Sequence, residues 1–295
     1  MTVTATTSAA VELDTFGATH VGLKRQRNED AYFIATLQRS MIVHDASPPA
    51  ARGWLAGQPA GTLLLVADGM GGMGGGDLAS RVAVETVTEY LLNVMPWATR
   101  RADSNAARDS SMSLPDVREQ LSSALMVGDA TVKRTGAYSG TPRMGTTLTA
   151  ALVVWPLLYV AHVGDTRCYL LRGGRLSALT TDHTLAQKFA EEGSPEAQVP
   201  DAWHNVLWNS LGGSDDVPRP QISKHQLEPN DVLLLCSDGL TKHVSDEEIA
   251  ALLAREPVNA RRCEQLIARA LETGGSDNIT VVIASASARA AQPTG

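Results

Sequence analysis

The chain has 295 residues, enough for one large domain or two small ones, and 43% of them are hydrophobic. Its formal net charge of −7 argues against non-specific nucleic-acid binding, and no stretch approaches the ~18 consecutive apolar residues of a membrane span. Cys168, Cys236 and Cys263 are widely spaced in apolar surroundings, which argues against a zinc site and a disulfide framework. With no signal-peptide pattern at the start, we expect a soluble, cytoplasmic protein with reduced cysteines.

The first part of the chain predicts strands followed by two helices. Residues 1–11 are expected to be a disordered tail. Strands are predicted at 16–22, 31–37 and 63–67, a loop at 45–59, and a helix at 77–94. A second helix is predicted to start at the capping box Ser113-Leu-Pro-Asp116, after a polar loop.

The second part predicts hairpins interrupted by short helices. Strands are predicted at 148–154, 157–163, 168–171, 175–179, 231–236 and 278–284. Helices are predicted at 184–192, 245–253 and 259–273, and residues 194–220 look like a loop. Because hairpins dominate and strict β-α-β alternation is absent, we expect an α+β layered fold with mainly antiparallel sheets. One domain is expected over residues 12–286, with 287–295 as a second disordered tail.

The stretch TLLLVADGMGGMGGG, residues 62–76, has two interpretations. Gly69, Gly71 and Gly74 form G-x-G-x-x-G between a strand and a helix, the dinucleotide-binding pattern. Against this, Asp68 would repel a pyrophosphate, and the helix is followed by a polar stretch instead of the second strand of a βαβ unit. The alternative is that Asp68 binds a metal ion.

Five aspartates stand beside predicted strands: Asp30, Asp68, Asp165, Asp238 and Asp277. Each alone is explained as a turn residue at a strand end. All five together, several next to the most apolar strands, would repel one another unless cations offset their charge. Oxygen ligands without cysteine or clustered histidine favour magnesium or manganese. Arg25, a few residues before Asp30, either makes a bidentate contact with a phosphate or belongs to a solvated basic turn.

Six motifs in order now make a family resemblance specific. They are Gly22-x-x-Arg25-x-x-Asn28-Glu29-Asp30, Val66-Ala-Asp68-Gly69-Met70-Gly71-Gly72, Gly145-Thr146-Thr147, Val163-Gly164-Asp165-Thr166-Arg167, Ser237-Asp238-Gly239-Leu240 and Ser276-Asp277-Asn278-Ile279-Thr280. They span about residues 16–284. In these motifs the chain resembles the bacterial branch of the metal-dependent Ser/Thr protein phosphatases, the PPM or PP2C-type family.

The resemblance implies a fold and a set of site residues. The fold would be a β-sandwich of two mainly antiparallel sheets flanked by helices, with two metal ions in a cleft at one end and a flap at about 184–213. Asp68 would bridge both ions, with the Gly69 carbonyl on one; Asp238 and Asp277 would hold the other. Asp30 would contribute directly or through water, and Glu29 only through water. Asp165, with Asp238, would bind a third and weaker ion.

The resemblance also implies an activity and partners. A water bridging Mg²⁺ or Mn²⁺ ions would attack the phosphorus of phosphoserine or phosphothreonine in line, with Arg25 on the phosphate and no phosphoenzyme. Met70 stands where many eukaryotic relatives carry a histidine, which leaves the general acid unassigned. Substrates would be phosphorylated proteins, with a Ser/Thr kinase as counterpart and a monomer as the expected state. The alternative is a phosphoprotein-binding module of the same fold without turnover.

Overall fold

A computed structural model of the chain describes residues 11–43, 53–71, 75–94, 117–193 and 199–288. The twelve strands are β1 Val11–His20, β2 Asp30–Val43, β3 Gly53–Met70, β4 Gly145–Thr146, β5 Leu148–Val154, β6 Leu157–Val163, β7 Arg167–Arg172, β8 Arg175–Ala178, β9 Leu211–Gly212, β10 Gln221–Gln226, β11 Val232–Cys236 and β12 Ile279–Ala288. The α-helices are α1 Gly75–Val94, α2 Val117–Ser139, α3 Leu185–Glu191, α4 Asp238–Thr241, α5 Asp246–Arg255 and α6 Asn259–Glu272. A 3-10 helix covers Asp201–Asn205.

The strands form two sheets, and within each sheet the described neighbouring strands are antiparallel. One sheet has the order β1-β12-β11-β7-β8, and the other has the order β10-β6-β5-β3-β4-β9, with β2 also paired to β3. The first and last described strands meet in the first sheet, because β1 pairs with β12 along its whole length. The predicted α+β class with mainly antiparallel sheets is confirmed.

Three apolar clusters show the layer order helix, sheet, sheet, helix. The middle cluster joins residues of both sheets, such as Leu64 and Val160 from one and Leu235 and Val282 from the other. A second cluster packs α1 and α2 on the larger sheet, and a third packs α5 and α6 on the smaller one. Alternate residues of a strand point to opposite faces, and both faces of the central strands are buried. The sequences of these strands are therefore continuous apolar runs.

Several predicted elements agree with the structure. The hairpin β5–β6 has the predicted bounds, and α5 opens with the predicted capping box between Ser245 and Glu248. The inward face predicted for α6, from Cys263 to Ala270, is buried. All three cysteines are free and buried. No helix among the described segments is long and apolar enough to cross a membrane.

Other predicted boundaries need correction. Residues 53–59, expected in a loop, belong to β3, which has 18 residues. Strand β10 was missed, since only Ile222 in QISKHQ is strongly apolar and the strand lies at the edge of its sheet. β1 begins at Val11 and β12 ends at Ala288, so the β1–β12 pairing extends into both predicted tails. The remaining tail residues and the capping box at Ser113–Asp116 lie outside the described residues.

The element order also removes the dinucleotide interpretation of residues 62–76. In the described part of the chain, the element after α1 is α2, and β3 pairs only with antiparallel strands. A dinucleotide-binding unit needs a parallel strand after its helix. Residues 62–70 of this stretch lie in β3, an inner strand of an antiparallel sheet.

Candidate active site

Asp30 and Asp68 are brought together by strand register. Asp30 is the first residue of β2 and pairs directly with Asp68, the third residue from the end of β3. Directly opposed residues on antiparallel strands have Cβ atoms only about 5 Å apart. Asp68 was expected just past its strand; it lies within it. Its main-chain N–H donates to Thr147 Oγ1 at 2.9 Å, and its carbonyl accepts from the Thr147 N–H at 2.9 Å.

The other sheet supplies Asp238 and Asp277. Asp238 follows β11 as the first residue of α4, and Asp277 stands two residues before β12. Because β11 and β12 are antiparallel neighbours, the end of one and the start of the other meet at the same edge. Ser237 and Thr280 join the sheets there: their hydroxyls donate to Asp30 Oδ2 at 2.7 and 2.6 Å.

Four of the five aspartates line one cleft of about 1380 Å³: Asp68, Asp165, Asp238 and Asp277. Asp165 lies in the turn between β6 and β7, after Gly164, whose φ of 109° suits glycine. Asp30 does not line the cleft, but its Oδ1 is buried, and the charges of Asp238 and Asp277 act on its carboxyl. Arg25, Glu29 and Gly69 also line the cleft. The structure thus brings together every residue that the sequence predicted for the site.

Gly69 shows why the backbone needs glycine at this point. A Cβ on Gly69 would overlap the carbonyl oxygen of Gly76 and come within 2.6 Å of the Glu29 carbonyl. The Gly69 N–H donates to that Glu29 carbonyl at 3.1 Å. Glycine therefore lets β3, the start of α1 and the residue before β2 approach one another closely behind Asp68.

Burial shifts the pKa values of most of these carboxyls upwards. Desolvation raises the pKa of Asp30 and of Asp165 to about 7, and the neighbouring carboxylates add to the effect. The pKa of Asp68 is raised well above its usual range by burial and by four surrounding aspartates. Burial also raises the pKa of Asp238. Ionised together, these groups need added positive charge.

Asp277 is the exception, because two basic side chains bind it. Arg25 Nε donates to Oδ1 at 2.8 Å and Arg25 Nη2 donates to Oδ2 at 2.9 Å. Lys242 Nζ donates to the same Oδ2 at 3.0 Å. Burial alone would raise the pKa of Asp277, but these hydrogen bonds bring it below its usual range. Arg25 therefore lines the cleft and forms a bidentate ion pair with Asp277. Its Nη1 makes no hydrogen bond or ion pair with any of the described residues.

The donor set fits a hard divalent cation. Asp30 Oδ1 and Asp238 Oδ1 are buried, and neither has a hydrogen-bond partner in the described part of the chain. Buried unpaired carboxylate oxygens are costly, and a bound ion would satisfy them. All the candidate ligands are oxygens, the preference of Mg²⁺ and Mn²⁺. Within the described segments no three such side chains already surround a common point.

The predicted flap covers one wall of the cleft. Lys188 of α3 and residues 205–210 line it, and Lys188 Nζ lies 5.6 Å from the ring centre of Trp208. Buried His183 connects this wall to the Asp165 turn: its Nδ1 accepts from the Gly164 N–H at 3.1 Å and contacts Asn209 Nδ2 at 2.9 Å. Residues 194–198, within the predicted flap, lie outside the described residues.

Lys242 is the site residue that sequence reasoning missed. It lines the cleft and contacts both Asp238 and Asp277. The signal was present: Lys242 follows Asp238 by four residues, the spacing that places two side chains on one helix face. The pattern was not used because Ser237-Asp238-Gly239 reads as a turn, and the structure makes it the start of a short helix.

Comparison with known proteins decides the family. The family model described as "Protein phosphatase 2C" matches residues 51–278, well over half of the chain. The chain belongs to the protein phosphatase 2C family. The match includes Asp68, Asp165, Asp238 and Asp277, and it begins after Arg25 and Asp30.

Individual relatives agree with this membership. The chain is 31% identical over 226 residues to protein phosphatase PhpP of Streptococcus pneumoniae, covering 76% of this chain and 85% of that one. It is 34% identical over 232 residues to serine/threonine protein phosphatase PstP of Mycobacterium tuberculosis, covering 75% of this chain and 40% of that one. A crystal structure of the PstP catalytic domain in complex with 2 manganese ions matches with a TM-score of 0.69 and 28% identity, covering 94% of this chain and 100% of that one.

Proposed function

We propose that this chain hydrolyses phosphoserine and phosphothreonine in proteins with the help of Mg²⁺ or Mn²⁺. The observation that carries the proposal is the cleft of converging, buried carboxylates with unpaired oxygens, in a chain that belongs to the protein phosphatase 2C family. The names of the relatives, both protein phosphatases, support the reaction, and the two manganese ions of the PstP structure support the kind of cofactor.

The ligand roles are those that the family resemblance implies, and the unpaired oxygens of Asp30 and Asp238 support two of them. Asp68 would be shared by two ions, with the Gly69 carbonyl on one of them. Asp238 would offer its unpaired Oδ1 to the other ion, and Asp30 its unpaired Oδ1 directly or through water. Asp277 would join Asp238, although both of its oxygens already accept hydrogen bonds, so Lys242 or Arg25 would have to yield one.

The protein's own residues would prepare the reaction by positioning. Thr146 and Thr147 fix the main chain of Asp68 through three hydrogen bonds, which holds its carboxylate at the cleft. Asp277 holds Arg25 by Nε and Nη2, and this leaves Nη1 to bind a substrate phosphate. Bound divalent ions would supply a lowered pKa for an attacking water and positive charge for the phosphoryl oxygens.

Partners follow from the reaction class. Substrates would be proteins that a Ser/Thr kinase has phosphorylated, so such a kinase is the proposed counterpart. A monomer remains the proposed state, as the family resemblance implies. Either Mg²⁺ or Mn²⁺ suits the oxygen ligands, and comparing activity with each ion would identify the preferred one.

The test is phosphate release from a phosphothreonine peptide with added Mn²⁺. We expect turnover that EDTA abolishes and that Asp238→Ala removes, while Asp14→Asn, an exposed residue of β1 that does not line the cleft, behaves as wild type. Activity that survives EDTA, or is unchanged in Asp238→Ala, would overturn the proposal. Tight peptide binding with Mn²⁺ and no phosphate release would favour the non-catalytic binding module.

A further inference from the structure

Lys242 carries a positive charge into the centre of the carboxylate cluster. Its Nζ lies 2.5 Å from Asp238 Oδ2 and 3.0 Å from Asp277 Oδ2. Its side chain is only 32% exposed, and its ammonium is held by two carboxylates from different strand ends. The ammonium therefore lies between Asp238 and Asp277 in the cleft.

The local backbone holds the lysine in that position. Lys242 caps the C-terminal end of α4, and its main-chain N–H donates to the Asp238 carbonyl at 2.8 Å. One helical turn separates the two residues, so their side chains lie on the same face. The following residue, His243, is anchored separately, by a 2.7 Å hydrogen bond between its Nε2 and Ser276 Oγ. The Lys242 main chain is thus held by the Asp238 carbonyl, and the residue that follows it is held by Ser276.

The two oxygens of Asp238 face different partners. Oδ1 has no hydrogen-bond partner in the described residues and remains available to an ion shared with Asp68. Oδ2 is occupied by the Lys242 ammonium. A further ion between Asp238 and Asp165 would need that second oxygen. Asp165 is close enough for the charge of Lys242 to act on its carboxyl, and Asp238 and Asp182 are its other charged neighbours.

We propose that the Lys242 ammonium takes the place of the third ion, so that this chain binds two divalent cations and excludes a third between Asp165 and Asp238. The inference rests on the proposed function, which requires the two-ion site. It disagrees with the third ion that the family resemblance implies, and the disagreement comes from the contacts of this chain's own lysine.

The exclusion has two physical causes. The ammonium occupies the carboxylate oxygen that a third ion would use, and its positive charge opposes a divalent cation at short range in a partly buried cleft. A tethered ammonium also differs from an exchangeable ion, because its local concentration is set by the fold. Part of the charge that neutralises Asp238 and Asp277 would then be independent of the divalent-ion concentration.

The test counts bound Mn²⁺ directly, by equilibrium dialysis and by the electron paramagnetic resonance signal of free Mn²⁺. We expect two ions per wild-type chain. Lys242→Gln should bind a third, with an affinity at least about tenfold higher than any residual third-ion binding by the wild type. Lys242→Arg keeps the charge and should bind two. Lys224→Gln is the matched control, because Lys224 is exposed on β10 and does not line the cleft.

Each outcome decides the inference. A third ion bound by the wild type overturns it, and this holds even if Lys242→Gln fails to fold. Tighter binding of the first two ions by Lys242→Gln, with no third ion, also overturns it. The proposed function is tested separately, by phosphate release. A wild type that binds two ions but releases no phosphate, with a third ion bound only by Lys242→Gln, would contradict the phosphatase proposal. The proposed role of Lys242 would be unaffected.

Discussion

Two sides of the same cleft treat buried carboxylates in opposite ways. On one side, Asp30 and Asp68 face each other across β2 and β3, and the groups that hold Asp30 are hydroxyls without charge. On the other side, Asp277 is bound by the guanidinium of Arg25 and the ammonium of Lys242. The pKa values follow this difference: burial raises those of Asp30 and Asp68, and the basic partners bring that of Asp277 below its usual range.

This difference shows where the protein supplies its own countercharge. At Asp277 the protein's cations neutralise the carboxylate, and the same contact orients Arg25 toward the cleft. At Asp30 and Asp68 no cation from the described residues makes such a contact, so the charge is left to bound ions. Uncompensated groups of this kind destabilise the protein that holds them, which is the usual cost of a functional site. Four measurements test this difference between the two sides of the cleft.

The largest expected effect is on catalysis. Asp68→Asn removes the central negative charge of the uncompensated side, and we expect phosphate release to fall about a thousandfold or more. The measurement is initial rate with a phosphothreonine peptide and saturating Mn²⁺. Asp14→Asn makes the same chemical change on exposed β1 and should keep wild-type rates. A fall of less than tenfold in Asp68→Asn would mean that this side of the cleft is not the reacting centre.

The second effect is stabilisation by added Mn²⁺. If bound ions supply the missing positive charge, Mn²⁺ should raise the free energy of unfolding by about 2.7 kcal/mol at one hundred times its dissociation constant. Chemical unfolding at several Mn²⁺ concentrations measures this increase. We expect Asp68→Asn to lose most of it and Asp14→Asn to keep all of it. An equal increase in Asp68→Asn would contradict the view that the ions bind on this side.

The third effect concerns a buried base that also lacks a countercharge. His162 is fully buried between Thr149 Oγ1 and the Thr181 carbonyl, and burial lowers its pKa to about 3. The folded protein keeps the ring neutral, whereas the unfolded chain takes up a proton below its ordinary pKa of about 6.5. Stability is therefore present above about pH 6.5 and is lost as pH falls toward 3. His162 should contribute a loss of about 2 kcal/mol between pH 7 and pH 5.

Comparison of pH dependences isolates this contribution. Urea unfolding of wild type and His162→Gln at both pH values gives the difference, because the other titrating groups are common to both proteins. The difference in stability should shrink by about 2 kcal/mol at pH 5. Exposed His204→Gln is the control and should follow the wild type. A constant difference between His162→Gln and wild type would show that burial of this ring has no electrostatic cost.

The smallest effect gives the most direct test of the comparison, because it predicts opposite signs. In EDTA at alkaline pH, Asp68→Asn should raise the free energy of unfolding by about 1 kcal/mol, since it removes repulsion from a buried cluster. Asp277→Asn should lower it by about 0.5–1 kcal/mol, since Arg25 and Lys242 lose a partner; this value is small because the Arg25 side chain is 51% exposed. Urea unfolding measures both. A change of the same sign in the free energy of unfolding of both variants would contradict the proposed difference between the two sides of the cleft.

Much of the fold could be predicted from sequence, because the signals are local. Continuous apolar runs predicted β5, β6 and β11, and the capping box from Ser245 predicted α5. Polar or mixed segments were the failures. β10 and the first part of β3 carry weak alternation, and they become strands through pairing with neighbours distant in sequence. Such pairing is a tertiary effect that no local pattern contains.

The chemistry of the site could be predicted from the residues alone: the acids at strand ends, the oxygen-only ligands and the family resemblance of the motifs. The ion pairs and contacts of these acids became visible only in the folded chain. Asp30 and Asp68 meet because of strand register, and Asp277 meets Arg25 across 252 residues of chain. Lys242 lies at the site because Asp238 is the first residue of α4, and Lys242 follows it by one helical turn. The reason is that electrostatic partnership depends on distances and burial in space, and these are set by the packing of the whole sandwich.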